Sequence, residues 1–328
     1  MTNKPVCRLQ LGNCAVMIAA SAIALAATAP ANAGAPPIKT QQCSVSPLLP
    51  ADFALNDRLY VANRSNVITG YTALLANGQG YLTGAPDVTL GGINTQLSLV
   101  SKNYLAGMVR DGSRRLYVAG PNVNTVTVYA PPKTGQNNSP PIGSLSSGDG
   151  LSQPAGLALD AGNSVLYVAN TGNNTVTAYA VTAADTKVTF ARKATLSGLS
   201  APLGLTLNGN GTLLYVANNG RTANWYSVTI YDIGLDGRPA AAAKHIGGDK
   251  TGLCNPASVA VDPTSHHLYV ANRESSGGSI TVYNLKADGS LQVPAGAPAD
   301  FNVQPATMML HDTLNQLGAP VGLVVGTA

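Results

Sequence analysis

Glutamate is almost missing from this sequence of 328 residues: Glu274 stands alone beside 14 aspartates. Charged residues make up only 10% of the chain, too few for the Glu-, Lys- and Arg-rich surfaces that helical proteins use, so a mainly helical fold is excluded. No run of Lys or Arg occurs, and the formal charge of +4 is spread thinly, which leaves no footprint for nucleic acid. No zinc-type His-x-x-x-His or Cys-x-x-Cys spacing is present, and no glycine-rich loop leads into a helix to cradle phosphate. No metal or other cofactor is therefore expected. Long apolar runs are also missing. The longest near the start, from Ala15 to Ala27, is 13 residues, short of the roughly 20 that span a bilayer.

That run has a different use. Lys4 and Arg8 precede it and Ala31-Asn32-Ala33 follows, which is the layout of a secretory leader. Residues 1–33 are expected to be removed, giving an exported chain, periplasmic or extracellular, with no transmembrane segment. Residues 34–49 form a tail that offers a closing strand, and 50–328 form one large domain. Cys7 and Cys14 leave with the leader. Cys43 and Cys254 remain as an even pair in a compartment that permits disulfides, so a bridge and two separate thiols both stay open.

What is abundant is Gly (35), Pro (21), Thr, Asn and Val, the composition of short strands and tight turns. One segment recurs. Leu59-Tyr60-Val61-Ala62-Asn63 returns at Leu116-Tyr117-Val118-Ala119-Gly120, Leu166-Tyr167-Val168-Ala169-Asn170, Leu214-Tyr215-Val216-Ala217-Asn218 and Leu268-Tyr269-Val270-Ala271-Asn272. The tyrosines lie 57, 50, 48 and 54 residues apart, the spacing of a structural repeat. Upstream stands an opening such as Pro154-Ala155-Gly156-Leu157-Ala158-Leu159-Asp160. Downstream runs an alternating strand such as Thr175-Val176-Thr177-Ala178-Tyr179. The first two strands are apolar throughout and call for burial on both faces, while the third alternates and is placed nearer the rim. Asn77-Gly78, Asp236-Gly237 and Asp288-Gly289 follow the third strand, where backbone with positive φ is needed.

A four-stranded sheet with two apolar faces needs a neighbour on each side, and radial packing supplies both, so the expected fold is an all-β propeller. The Tyr-Val-Ala-Asn core with its Pro-x-Gly-Leu-Ala-x-Asp opening resembles the YVTN-type β-propeller repeat. It is also similar to NHL repeats and to propellers of the lactonase superfamily. Five repeats are clear, and Pro305-Ala306-Thr307-Met308-Met309-Leu310-His311-Asp312 reads as the opening of a degenerate sixth. Another strand-like run follows at Pro320-Val321-Gly322-Leu323-Val324-Val325.

Candidate site residues come from two patterns. A polar residue closes each inner strand: Asn56, Asp111, Asp160, Asn208, Asp262 and His311 or Asp312, with Arg110 adding a positive charge. In a ring these circle one mouth of the channel, although Asp and Asn also open tight turns by accepting from backbone N–H groups. The second pattern is a longer loop in the fourth repeat that carries Arg221 and leads into Trp225 and Tyr226, residue types favoured in binding hot spots. With so few acid, base or nucleophile clusters, the sequence leans away from an enzyme. It reads as a monomeric, exported binding module presenting loops to a protein, glycan or small ligand. The alternative, implied by the lactonase resemblance, is a hydrolase with its site in the central channel.

Overall fold

The computed structural model describes residues 14–17, 58–63, 65–76, 79–82, 85–99, 106–134, 138–222, 225–248, 251–262, 264, 266–274, 277–287, 289, 291–292 and 308–311. Five antiparallel sheets follow one another along the chain as the blades of a β-propeller. Blade one contains β1 (Cys14–Met17), β2 (Arg58–Asn63), β3 (Val67–Ala76), β4 (Gln79–Leu82) and β5 (Val88–Leu90). Blade two is β6 (Met108–Arg110), β7 (Leu116–Gly120), β8 (Thr125–Tyr129) and β9 (Gly143–Leu145). Blade three is β10 (Pro154–Leu159), β11 (Val165–Asn170), β12 (Thr175–Ala183) and β13 (Val188–Leu196). Blade four is β14 (Pro202–Leu207), β15 (Leu213–Thr222), β16 (Trp225–Ile233) and β17 (Pro239–Gly247). Blade five is β18 (Pro256–Val261), β19 (His267–Glu274), β20 (Gly277–Asn284) and β21 (Met308–His311).

The repeated tyrosines occupy one place, the second strand of each blade. The apolar second strand is buried on both faces because alternate residues serve different neighbours. In β11, Leu166 and Val168 join an apolar cluster shared with blades one and two, whereas Val165, Tyr167 and Ala169 join one shared with blade four. A third cluster fuses blades four and five through Tyr215, Val228, Val270 and Tyr283. Each described interface between consecutive blades is thus packed from both sides, which is why period-2 polarity is absent from these strands.

Inner strands approach more closely still. β10, β14 and β18 each break register just after the initial proline. At that bulge a Cβ on Gly156 would stand 2.1 Å from the carbonyl oxygen of Leu203 in the next blade, and one on Gly204 2.6 Å from the Cα of Ser258. Gly107 makes the same approach to Ala155 and donates its N–H to that carbonyl at 2.8 Å. The Pro-x-Gly opening is therefore a packing requirement of the ring's inner wall.

One expectation needs correction. The segment read as the opening of a sixth repeat is instead the outer strand of blade five: Met308–His311 pairs with β20, with Ile280 opposite Leu310 and Ser279 opposite His311. The pattern Pro-Ala-x-x-x-x-Asp had coincided with an outer strand that resumes after Leu291, itself bridged to Leu285. The third strand lies outward of the second in each sheet, as expected, yet its polar residues are not left in solvent. Thr127, Thr177, Thr229 and Thr281 are all buried. The tail at 34–49, Cys43 and Asn56 lie outside the described residues, and with them the Cys43–Cys254 pairing. β1 pairs antiparallel with β2 along the edge that β3 leaves open.

Candidate functional site

The ring has two ends. At the turn end, where first strands pass into second strands, the structure places Asp111, Asp160, Asn208 and Asp262 in equivalent positions. Each oxygen is drawn into its own turn. Asp160 accepts from the N–H groups of Ser164 and Val165 at 2.6 and 2.7 Å, and its second oxygen takes the Ser164 hydroxyl. Asn208 accepts from Leu213 N–H at 2.9 Å. Asp262 accepts from His266 N–H at 2.6 Å and meets His267 Nδ1 at 3.0 Å. Burial pushes the Asp262 carboxyl up, but the hydrogen bonds from the His267 ring, from the His266 and His267 N–H groups and from Thr264 outweigh it and hold the group below the usual carboxylate range.

Blade two departs from this pattern. Its turn is one residue shorter, and Arg115 takes the place held by the buried Val165 and Leu213 in blades three and four. Asp111 is fully buried and accepts from Arg115 Nε at 2.6 Å, from Arg115 N–H at 2.8 Å and from the Tyr117 hydroxyl at 3.3 Å. Burial lowers the pKa of Arg115, yet Asp111 beside it raises it further, so the guanidinium stays charged. Its other arm reaches the Ala184 carbonyl of blade three. Arg110, just before this group, is half-buried. It is the one charged residue on β6, β10, β14 and β18, whose remaining side chains are apolar apart from Thr206 and Ser258.

The hairpin end, where second strands turn into third strands, is built from uncharged amides. Asn170 accepts from Ser152 N–H at 3.3 Å and donates to Thr175 and Thr177. Asn218 accepts from Ser200 N–H and donates to Ser227 and Thr229, and Asn272 accepts from Cys254 N–H and donates to Thr281. The buried Thr177, Thr229 and Thr281 are the partners of these amides, a pairing visible in hindsight as an Asn followed by Thr-Val-Thr, Ser-Val-Thr or Ser-Ile-Thr. Cys254 is half-buried on the connection so clamped. In blade three the hairpin closes at Asn170 opposite Thr175, but in blade four it continues to Thr222 opposite Trp225, and in blade five to Glu274 opposite Gly277. Arg221 therefore lies near the tip of β15, Trp225 opens β16, and Tyr226 is half-buried beside it.

The structure thus brings together the turn-end residues of blades two to five and keeps Arg221, Trp225 and Tyr226 at the opposite end. His311 joins neither group: as the last residue of β21 it belongs to an outer strand, removed from the mouth where an inner-strand reading had put it. His266 is exposed in its turn. Among the described residues no group of three His, Cys, Asp or Glu side chains converges to hold a metal ion, and no helix is long and apolar enough to cross a membrane.

A family model described as lactonase, 7-bladed beta-propeller, matches residues 107–233 and 197–299. Together these stretches cover more than half of the chain, from blade two through blade five. The chain belongs to this lactonase family. Solved structures agree on the propeller fold. A protein from Lactobacillus plantarum superposes with a TM-score of 0.53 at 16% identity, over 77% of this chain and 71% of that one. A putative 6-phosphogluconolactonase from Bacteroides fragilis gives 0.51 at 17% identity, over 77% and 70%. Another, from Bacteroides uniformis, gives 0.51 at 17% identity, over 82% and 76%. At these identities the likeness to these structures is one of fold. No curated protein matches the sequence.

Proposed function

We propose that the protein, acting after export, opens a small lactone or related cyclic ester at the turn end of its channel, with Arg110 meeting the charge that develops. The observation that carries the reading is the lactonase family match across blades two to five. It favours the hydrolase over the binding module. The putative activity of the two Bacteroides neighbours makes an aldonolactone the first substrate to try.

The chemistry suits the wall. Water adds to the ester carbonyl and loses one proton to solvent, and the carbonyl oxygen becomes an oxyanion. Collapse breaks the ring C–O bond, whose oxygen takes up the second water proton, leaving a carboxylate, a hydroxyl and one net proton released. A fixed cation on an otherwise apolar wall favours both the oxyanion and the product carboxylate more than bulk water does. Arg110 is that cation on the described inner strands. The wall's apolar residues would exclude competing water from the sugar's non-reacting face.

A binding module is the second reading, and a specific observation supports it: the oxygens of Asp111, Asp160, Asn208 and Asp262 are engaged in their own turns. One assay separates the two. Proton release from aldonolactones by the purified exported protein is expected to exceed that of a heat-unfolded control. Arg110→Met is expected to reduce kcat by about 10²-fold or more, the usual cost of removing an oxyanion donor. Equal rates for native and unfolded protein would discard the hydrolase and leave the binding reading.

A further inference from the structure

The inner strands are not equally covered along their length. Near the hairpin end the residues after the opening prolines, Ala155, Leu203 and Ala257, are buried and form an apolar cluster of their own. Ala106 holds the same place in blade two, because Gly107 after it approaches Ala155 as Gly156 approaches Leu203, and it is buried as well. Towards the turn end the covering is looser. Arg110, Leu159, Leu207 and Val261, each the residue before the polar one that opens the turn, are half-buried. The wall is thus sealed among its own side chains near the hairpin end and open near the turn end.

What this wall offers a ligand is almost wholly apolar. β6, β10, β14 and β18 carry two side-chain hydroxyls, Thr206 and Ser258, and neither amide nor carboxylate. The Thr206 hydroxyl donates to the Leu207 carbonyl at 3.3 Å. Amide and carboxylate oxygens begin only in the turns, where Asp160, Asn208 and Asp262 accept from their own backbone. A sugar lactone entering such a wall gives up water at each hydroxyl, and a hydroxyl buried without a partner weakens binding. An alkyl arm has the opposite balance. Each methylene taken out of water favours binding by about fourfold.

The arm cannot be long. Leu207 stands four residues after Leu203, about 13 Å along an extended strand, and that span has to hold the lactone ring as well. Leu203 is the one large side chain at its level, since Ala106, Ala155 and Ala257 hold the equivalent places. Its isobutyl group fills the space that its smaller neighbours Ala155 and Ala257 leave, which makes it the floor.

On the lactone reading above, we infer that the site prefers a lactone with a short alkyl arm to a polyhydroxylated one, and that Leu203 is the floor that limits the arm. The ester sits at the level of Arg110, near the open end, and the arm lies along the apolar wall towards Ala155 and Ala257. Leu203 is thereby a specificity-determining residue: it meets the end of the arm and takes no part in ring opening.

A series of δ-lactones tests this, from δ-valerolactone through δ-hexalactone, δ-octalactone and δ-decalactone to δ-dodecalactone, beside glucono-δ-lactone. For the native protein kcat/KM is expected to rise about fourfold per methylene over the first members, to exceed the value for glucono-δ-lactone, and to fall at the longest arms. Leu203→Ala is expected to move the turning point to a longer arm, and the milder Leu203→Val to move it less. A higher kcat/KM for glucono-δ-lactone than for every alkyl lactone, or one turning point for all three proteins, would overturn the inference. If no lactone is opened above the heat-unfolded control, the hydrolase reading fails by itself, and calorimetric titration then decides the inference. Tighter binding of hexanoate than of gluconate supports the apolar site; equal or weaker binding of hexanoate, or none, overturns it.

Discussion

Tyr117, Tyr129, Tyr167, Tyr179 and Tyr283 show how single side chains hold adjacent parts of the ring. Tyr129, Tyr179 and Tyr283 donate to the carbonyls of Thr95, Asp149 and Thr251 on the connections leading into inner strands, and Tyr167 reaches the next blade. Burial pushes the phenols of Tyr117, Tyr129 and Tyr179 up to about 12 and those of Tyr167 and Tyr283 higher. A phenol raised in the fold contributes stability that is complete below its unfolded pKa of about 10 and is lost as pH climbs through the folded value. The protein is therefore expected to keep full stability up to about pH 10 and to lose it steeply towards pH 12, with these tyrosines ionising together as it unfolds. Titration of phenolate absorbance beside circular dichroism checks this. Independent ionisation of all 13 tyrosines near pH 10 with the fold intact would contradict it.

At the scale of the element, the second strand was fully legible in the sequence, because Leu-Tyr-Val-Ala-Asn needs two apolar faces and only a strand between two blades offers them. The turns were legible too: Asp160 and Asp262 bind the backbone of their own turns, as short acidic residues at strand ends do. The outer strands were not. Their residues pack on one side only, so Met308–His311 carried no pattern of its own and mimicked an inner strand. Nor did the sequence reveal that Arg115 would take over an interblade contact, since its partner Ala184 lies 69 positions away. The inner strand's glycine is the most demanding position. Gly156→Ala would press a methyl group on the Leu203 carbonyl at 2.1 Å, an overpacking expected to cost about 1–3 kcal/mol. Gly148→Ala, whose nearest neighbour is the Ser146 hydroxyl at 3.6 Å, is expected to cost far less. Urea unfolding of the two variants should separate them, and equal midpoints would remove the packing argument.

At the scale of the whole molecule, the described residues form five blades, with turn carboxylates and an amide at one end and asparagines and two extended hairpins at the other. Function follows from which mouth receives a ligand. The turn end holds Arg110 on an otherwise uncharged inner wall; the hairpin end holds Arg221, Trp225 and Tyr226. An aldonate, the product of lactone opening, carries the carboxylate that should reveal the site. A crystal structure of the purified protein soaked with gluconate tests this most directly. The account predicts the carboxylate at the turn end of the channel, in contact with the Arg110 guanidinium; gluconate bound among the hairpins of blades four and five, away from Arg110, would contradict it.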